Sequence, residues 1–393
     1  MKKETMYIHG AQRHNEFGAE AEPIYRTSTF IFKDVNQGAN RFAGKENGYI
    51  YGRLGNPTLT TLENKIALLE GTEACAVTAS GMGAIASTMW TFLKKGDHLL
   101  ADTALYGCTF ALFTSMLTKF GVEVTLVDFD NIENVKKSIK KNTTIVYFET
   151  PCNPTLKVID IEKVSKLVHQ YNKKIKVIVD NTFCSPATQL PRKFGADLIV
   201  HSITKFINGH GDLIAGCVCG SQTDIAKVKM EGIKDATGSV MSADDAYMIL
   251  RGLKTLGIRY DRQSENTLKI AQYLEKSPYV KAVNYPGLES SKYYDLCKKQ
   301  MSKPCAILSF ETSLSFEQTK KFVNNLKVIT LAVSLGGVES LIEHPASMTH
   351  ATYTKEALKK ANIALTLIRL AVGIENVDDL INDLEQAFKK AKK

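Results

Sequence analysis

The sequence predicts an α/β fold: a mostly parallel sheet with helices on both faces, followed by a smaller C-terminal α/β unit. Three observations carry this expectation. From Thr61 onward, short apolar runs alternate with amphipathic stretches of helical period. The apolar runs are continuous rather than alternating, as in strands buried on both faces. Several of them end in polar residues that a packed core would reject, so ligand groups are expected beyond the carboxyl ends of the strands.

The elements follow in order. Residues 1–60 carry few long periodic segments and are rich in Gly, Asn and Tyr, as in FAGKENGYIYGRLGNPT, and read as an N-terminal arm able to wrap a neighbouring subunit. Residues 61–255 form the large unit. There LENKIALLEG is a helix, ACAVTAS a strand, Gly83 to Leu93 a helix and HLLAD a strand. Another helix, the strand VEVTLVDF, a helix, the strand TIVYFET, a helix, and the strands KIKVIVDN and DLIVHS complete the alternation. One long helix is expected through SADDAYMILRGLKTLGIRYDRQSENTLKIAQYLEKS, and Pro286-Gly287 end the segment after it. In the C-terminal unit, 256–393, AILSFET is a strand, FEQTKKFVNNLK a helix, LIRLAVGI a strand and VDDLINDLEQAFKKA the terminal helix.

At 393 residues, 44% hydrophobic and 23% charged, the chain can bury a large core without disulfides. Its eight cysteines show no Cys-x-x-Cys pair and no metal-site spacing, so reduced thiols in a cytoplasmic protein are expected, and no metal. His344 and His350, in EHPASMTHA, lack a clear third partner and read as loop structure. MKKETMYIHG contains no apolar signal region, and no segment approaches the ~20 apolar residues of a membrane span. The net charge of +9 is spread over helical segments, with no basic stripe or aromatic interleaving to suggest nucleic acid.

Three strand ends carry the chemistry. KVIVDNT ends in Asp180, LIVHSITK runs into Ser202, Thr204 and Lys205, and ACAVTASGMGAIAS turns at Ser80-Gly81-Met82 into a helix whose free amides suit a phosphate. Taken singly, each has a plainer reading: an Asx turn, a solvated lysine, a glycine at a junction. SGMGAIA also mimics a dinucleotide turn, with Asp102 placed as a ribose-binding acid, which makes an NAD-dependent oxidoreductase the rival. A dinucleotide has no use for an acid and a lysine on successive strand ends. Pyridoxal 5'-phosphate (PLP) needs both, the lysine for covalent attachment and the acid for the pyridinium nitrogen, and Tyr106 in LYGCTF supplies an aromatic ring to stack on it.

YGRLGNPT, SGMGAI, YGCTF, ETPCNPTLKVIDI, VDNTF, HSITKFINGHGD and RLAVGIE closely resemble the Cys/Met-metabolism family of fold-type I PLP-dependent enzymes, from Tyr25 to the last helix. The resemblance implies that Lys205 anchors the cofactor, Asp180 pairs with its ring nitrogen and Tyr106 lies against the ring. Ser80, Gly81, Met82, Ser202 and Thr204 would line the phosphate. Tyr51 and Arg53 would reach the phosphate of the neighbouring subunit, giving a homotetramer built as a dimer of dimers with shared sites. Arg369 would grip the substrate carboxylate, with Ser334 beside it.

Within the family, Cys108 and the Lys234-Asp235 pair resemble the branch that eliminates a thiol from methionine. The expected reaction is cleavage of L-methionine to methanethiol, 2-oxobutanoate and ammonia, with cystathionine, homocysteine or cysteine as alternative substrates. Lys205 would move the protons and Tyr106 would protonate the leaving sulfur, a role that calls for a phenol acidified by nearby positive charge. Without the family context, Cys108 reads as a small core residue.

Overall fold

The computed structural model describes residues 1–11, 15, 17–349 and 363–393. Seven strands form the larger sheet: β1 (Ala74–Thr78), β2 (His98–Asp102), β3 (Glu123–Val127), β4 (Thr143–Glu149), β5 (Lys176–Asp180), β6 (Leu198–Ser202) and β7 (Gly216–Gly220). Their spatial order is β1-β7-β6-β5-β4-β2-β3. Every pairing is parallel except the two made by β7, with β1 and β6. The mostly parallel sheet expected from the continuous apolar runs is present.

Those runs arise because both faces are covered. Along β4, Ile145 and Tyr147 pack into one core cluster with Ile178, Val200 and Val218, while Val146 and Phe148 pack into another with Val177 and Val179. A strand with two buried faces cannot show polar alternation. The helices that cover it have local starting signals. Asn56 accepts from the Thr58 amide and Pro57 opens the 57–70 helix, which Gly71 ends at φ 70°. Asp160 caps Ile161–Tyr171 and Ser80 caps Gly81–Phe92.

The smaller sheet comprises β8 (Val280–Asn284), β9 (Ile307–Thr312), β10 (Thr330–Leu331), β11 (Leu341–Glu343) and β12 (Leu367–Ala371), in the order β10-β11-β12-β9-β8. The helix Val377–Lys392 packs Phe388 against Phe310 and Phe322 from this sheet and the helix Phe316–Asn324. The single long helix expected after Ser242 is two helices, Ala243–Leu253 and Leu256–Glu275. Thr255, at φ −109° and ψ 4°, breaks the helical run between them. Among the described residues, no helix is long and apolar enough to cross a membrane.

Candidate active site

The carboxyl ends of β1, β5 and β6 and the middle of β12 bring most of the expected residues together. At the end of β1, the Ser80 hydroxyl accepts from the Gly83 amide at 2.9 Å and starts the Gly81–Phe92 helix. Gly81 lies against Ser202 at the end of β6: a Cβ on Gly81 would stand 2.9 Å from the Ser202 Cβ, so glycine is required for the approach. The first turn of that helix has amides without intrahelical partners and the positive end of its dipole, so this cradle fits a phosphate. Met82 Sδ meets the Thr109 hydroxyl at 3.9 Å, tying the cradle to the segment after Tyr106. Thr204 is more committed than the sequence suggests. Its hydroxyl donates to the Ala215 carbonyl at 3.1 Å and accepts from the Ala215 amide at 2.9 Å, bracing the chain before β7.

Asp180 ends β5, adjacent to β6. Its Oδ1 accepts from the Thr182 amide at 3.0 Å and its Oδ2 from the Tyr147 hydroxyl at 3.3 Å. Burial raises its pKa, opposed by its Thr182 hydrogen bonds and the charge of His201. A buried carboxylate held by two donors is suited to a cationic ring nitrogen.

Lys205 follows β6, and its amine donates to the Ser334 hydroxyl at 2.8 Å. Burial, and then the Arg369 charge, bring its pKa down to about 8, against a smaller pull from Glu343. Arg369 is 4% exposed in β12. Its Nη2 donates to the Ser334 carbonyl at 2.8 Å, and its Nη1 meets Asn153 Oδ1 at 3.1 Å and Glu343 Oε1 at 3.0 Å. Its Nε is buried with no partner, as is Glu343 Oε2. The guanidinium is thus anchored through both Nη atoms, while its Nε carries an unsatisfied donor.

Tyr106 precedes the helix Gly107–Ala111, and its amide donates to Glu149 Oε1 at 2.6 Å. A hydrogen bond with Cys108, followed by burial and the charge of Glu149, pushes its pKa up to about 12, and Arg369 opposes this only weakly. Cys108 is exposed rather than packed in the core. Lys234 and Asp235 pair with each other at 2.6 Å, and Arg53 donates to the Lys234 carbonyl at 2.7 Å within the same chain. Tyr51 is 44% exposed, with the Arg53 guanidinium 5.9 Å from its ring centre.

Glu149, Asn153, Glu343 and Tyr147 also belong to this neighbourhood, and sequence reasoning passed them over. Glu149 carried the same signal as Asp180, an acid closing an apolar strand. Glu343 did not, because β11 is three residues long and gives no periodic signal. The dinucleotide rival fails at Asp102: both of its oxygens are within 2.8 Å of Lys157 Nζ, and the Ala104 and Phe129 amides occupy them as well. No acceptor is left for a ribose. His344 is held through both ring nitrogens, by Ser347 and the Leu365 carbonyl, as loop structure requires; His350 lies outside the described residues. One grouping was hidden from spacing arguments. The thiols of Cys75, Cys217 and Cys219 lie within 4.8 Å of one another, in the core, because β1 and β7 pair side by side.

The sequence pattern of the Cys/Met metabolism PLP-dependent enzymes matches residues 4–389. An L-methionine gamma-lyase from Fusobacterium nucleatum subsp. polymorphum is 54% identical over 98% of both chains. Another from Porphyromonas gingivalis is 51% identical over 98% of this chain and 96% of its own. The structure of a putative O-acetylhomoserine (thiol)-lyase from Campylobacter jejuni, with N'-pyridoxyl-lysine-5'-monophosphate at its position 205, is 33% identical. It superposes with a TM-score of 0.95 over 99% of this chain and 100% of that one. The glycine cradle, the buried acid and the buried lysine fit the cofactor of these proteins, and the chain belongs to the Cys/Met-metabolism family of PLP-dependent enzymes.

Proposed function

We propose that the chain cleaves L-methionine and water to methanethiol, 2-oxobutanoate and ammonia. The observation that carries this reading is the double use of Ser334. Its hydroxyl holds the amine suited to moving protons, and its carbonyl holds the guanidinium suited to receiving a carboxylate. The choice of methionine is supported by the L-methionine gamma-lyases at 51–54% identity.

In this reading Ser80, Gly81, Met82 and Ser202 hold the phosphate, with Thr204 bracing them and Tyr51 and Arg53 reaching it from a neighbouring subunit. Asp180 pairs with the ring nitrogen, Tyr106 lies against the ring and Lys205 is the attachment point. When bound, PLP supplies the electron sink that stabilises negative charge on the amino acid. Arg369 takes the substrate carboxylate and so fixes which bond at Cα is broken. Lys205, a base with a pKa of about 8, takes the proton from Cα and serves Cβ in turn. The Tyr106 hydroxyl would give its proton to the departing sulfur once positive charge from the bound cofactor and from Arg53 of the partner subunit offsets the rise to about 12 that its own chain imposes. Cys108 beside it, with Lys234 and Asp235, shapes the distal pocket.

The same proposal divides the chain into an arm (1–60), a cofactor-binding unit (61–255) and a C-terminal unit (256–393). It places the chain in the cytoplasm as a homotetramer of two dimers. Side-by-side assay of methionine, cystathionine, homocysteine and cysteine, with product identification, tests the activity. Methanethiol and 2-oxobutanoate from methionine are expected. Sulfide from homocysteine with methionine inert would make it a homocysteine desulfhydrase, and cleavage of cystathionine alone a cystathionine γ-lyase.

A further inference from the structure

Glu149 closes β4 beside Asp180, its register partner at the end of β5, so two carboxyl groups stand next to each other at the carboxyl edge of the sheet. They are used differently. Asp180 is held by the Tyr147 hydroxyl and the Thr182 amide, whereas Glu149, 6% exposed, accepts from the Tyr106 amide at 2.6 Å. Tyr106 needs such a tether. Its backbone, at φ −54° and ψ 137°, lies outside the helix that follows, and the residue is 47% exposed. An aromatic ring that must lie flat on a ligand is poorly fixed by exposure alone.

We propose that Glu149 is a positioning residue: its carboxyl pins the Tyr106 backbone to the sheet edge and so sets the ring of Tyr106 against the position beside Asp180. This rests on the reading of Asp180 and Tyr106 as partners of the PLP ring. Glu149 works there as the acceptor of the Tyr106 amide. Burial, and then the charge of Asp180, push its pKa up against the opposing Tyr106 hydrogen bond.

Glutamine preserves an acceptor oxygen at the same place and alanine removes it, which makes the test sharp. In the loaded enzyme, Glu149→Gln is expected to keep kcat within about twofold of the parent and to keep the visible circular dichroism of the bound cofactor. Glu149→Ala is expected to lose about tenfold in kcat and to change that dichroism, because a buried amide is left without its acceptor. In a Tyr106→Ala background, where there is no ring to place, Glu149→Ala should cost less than about a further twofold. Additive losses in the double variant would overturn the proposal. So would a Glu149→Gln variant with the parent's melting temperature but a tenfold loss, and this outcome decides the matter even if Glu149→Ala does not fold. A parent enzyme with no visible cofactor absorbance would instead strike the PLP reading, so the two failures are told apart.

Discussion

Lys205 Nζ lies 2.8 Å from the Ser334 hydroxyl, while the Ser334 carbonyl lies 2.8 Å from Arg369 Nη2. Ser334 holds φ at 91°, a left-handed backbone that an L residue adopts only where its surroundings impose it. In this conformation one residue serves two cations, the hydroxyl meeting the amine and the carbonyl meeting the guanidinium. In the proposed reading, base and carboxylate receptor are therefore set from one point on the backbone.

The two contacts of Ser334 can be separated by mutation. Ser334→Ala keeps the carbonyl and removes the hydroxyl. We expect kcat on methionine to fall several-fold, on the order of the ~1 kcal/mol that one hydrogen bond contributes, with KM nearly unchanged. Steady-state kinetics on methionine decide it; a rise in KM without loss of kcat would mean that Ser334 acts through Arg369.

The Lys205 amine gives the pH prediction. Its folded-state pKa of about 8 lies below the usual 10.5, so the neutral, nucleophilic form fills in as pH rises through 8 rather than above 10. At pH 7 about one amine in ten is neutral, against fewer than one in a thousand for a solvated lysine. The rate at which the apoprotein takes up PLP as a borohydride-fixed adduct should rise with pH and level off above about 8. Lys205→Ala should abolish the adduct. Arg369→Gln, which removes a neighbouring cation, should move the inflection upward; an inflection near 10 in the parent would refute the assignment.

How much of this was legible in the sequence differs by element. Continuous apolar runs gave the buried strands because both faces of the larger sheet are covered, and the polar residues ending those runs gave Asp180 and Lys205. The break at Thr255 was not legible, because Leu253 and Leu256 keep the helical period across it and both are fully buried. Glu343 and Asn153 reach Arg369 from a three-residue strand and from a loop, neither of which has a period to read. The raised pKa of Tyr106 depends on Cys108 and Glu149, one near and one distant in sequence, and no local pattern announces such a pair.

Asp102 and Lys157 give a prediction about stability rather than catalysis. Lys157 Nζ contacts both oxygens of a carboxylate whose side chain is 0% exposed, and it also reaches Asp128 at 2.8 Å. Lys157→Met would leave a buried carboxylate without its cation, held only by the Ala104 and Phe129 amides, which costs about 3–5 kcal/mol. Urea unfolding followed by circular dichroism should show this loss, while the cofactor absorbance of the folded variant stays intact. Retained stability would mean that water replaces the amine.

Arg369 and Glu343 close the set, because the guanidinium already has a carboxylate partner within the chain. Glu343 Oε1 is 3.0 Å from Arg369 Nη1 on the neighbouring strand, and burial raises the Glu343 pKa against the opposing pull of Arg369 and then Lys205. In the proposed reading, a substrate carboxylate therefore meets a guanidinium whose charge is partly offset. Glu343→Gln removes that offset while keeping the shape, so KM for methionine should fall by a few-fold, on the order of ~1 kcal/mol, with little change in kcat. Arg369→Lys replaces the planar fork by a point charge and should raise KM by about a hundredfold. Both variants are read by the same kinetics. A Glu343→Gln enzyme with a higher KM would show instead that Glu343 holds the guanidinium in place and that its charge is not a competitor.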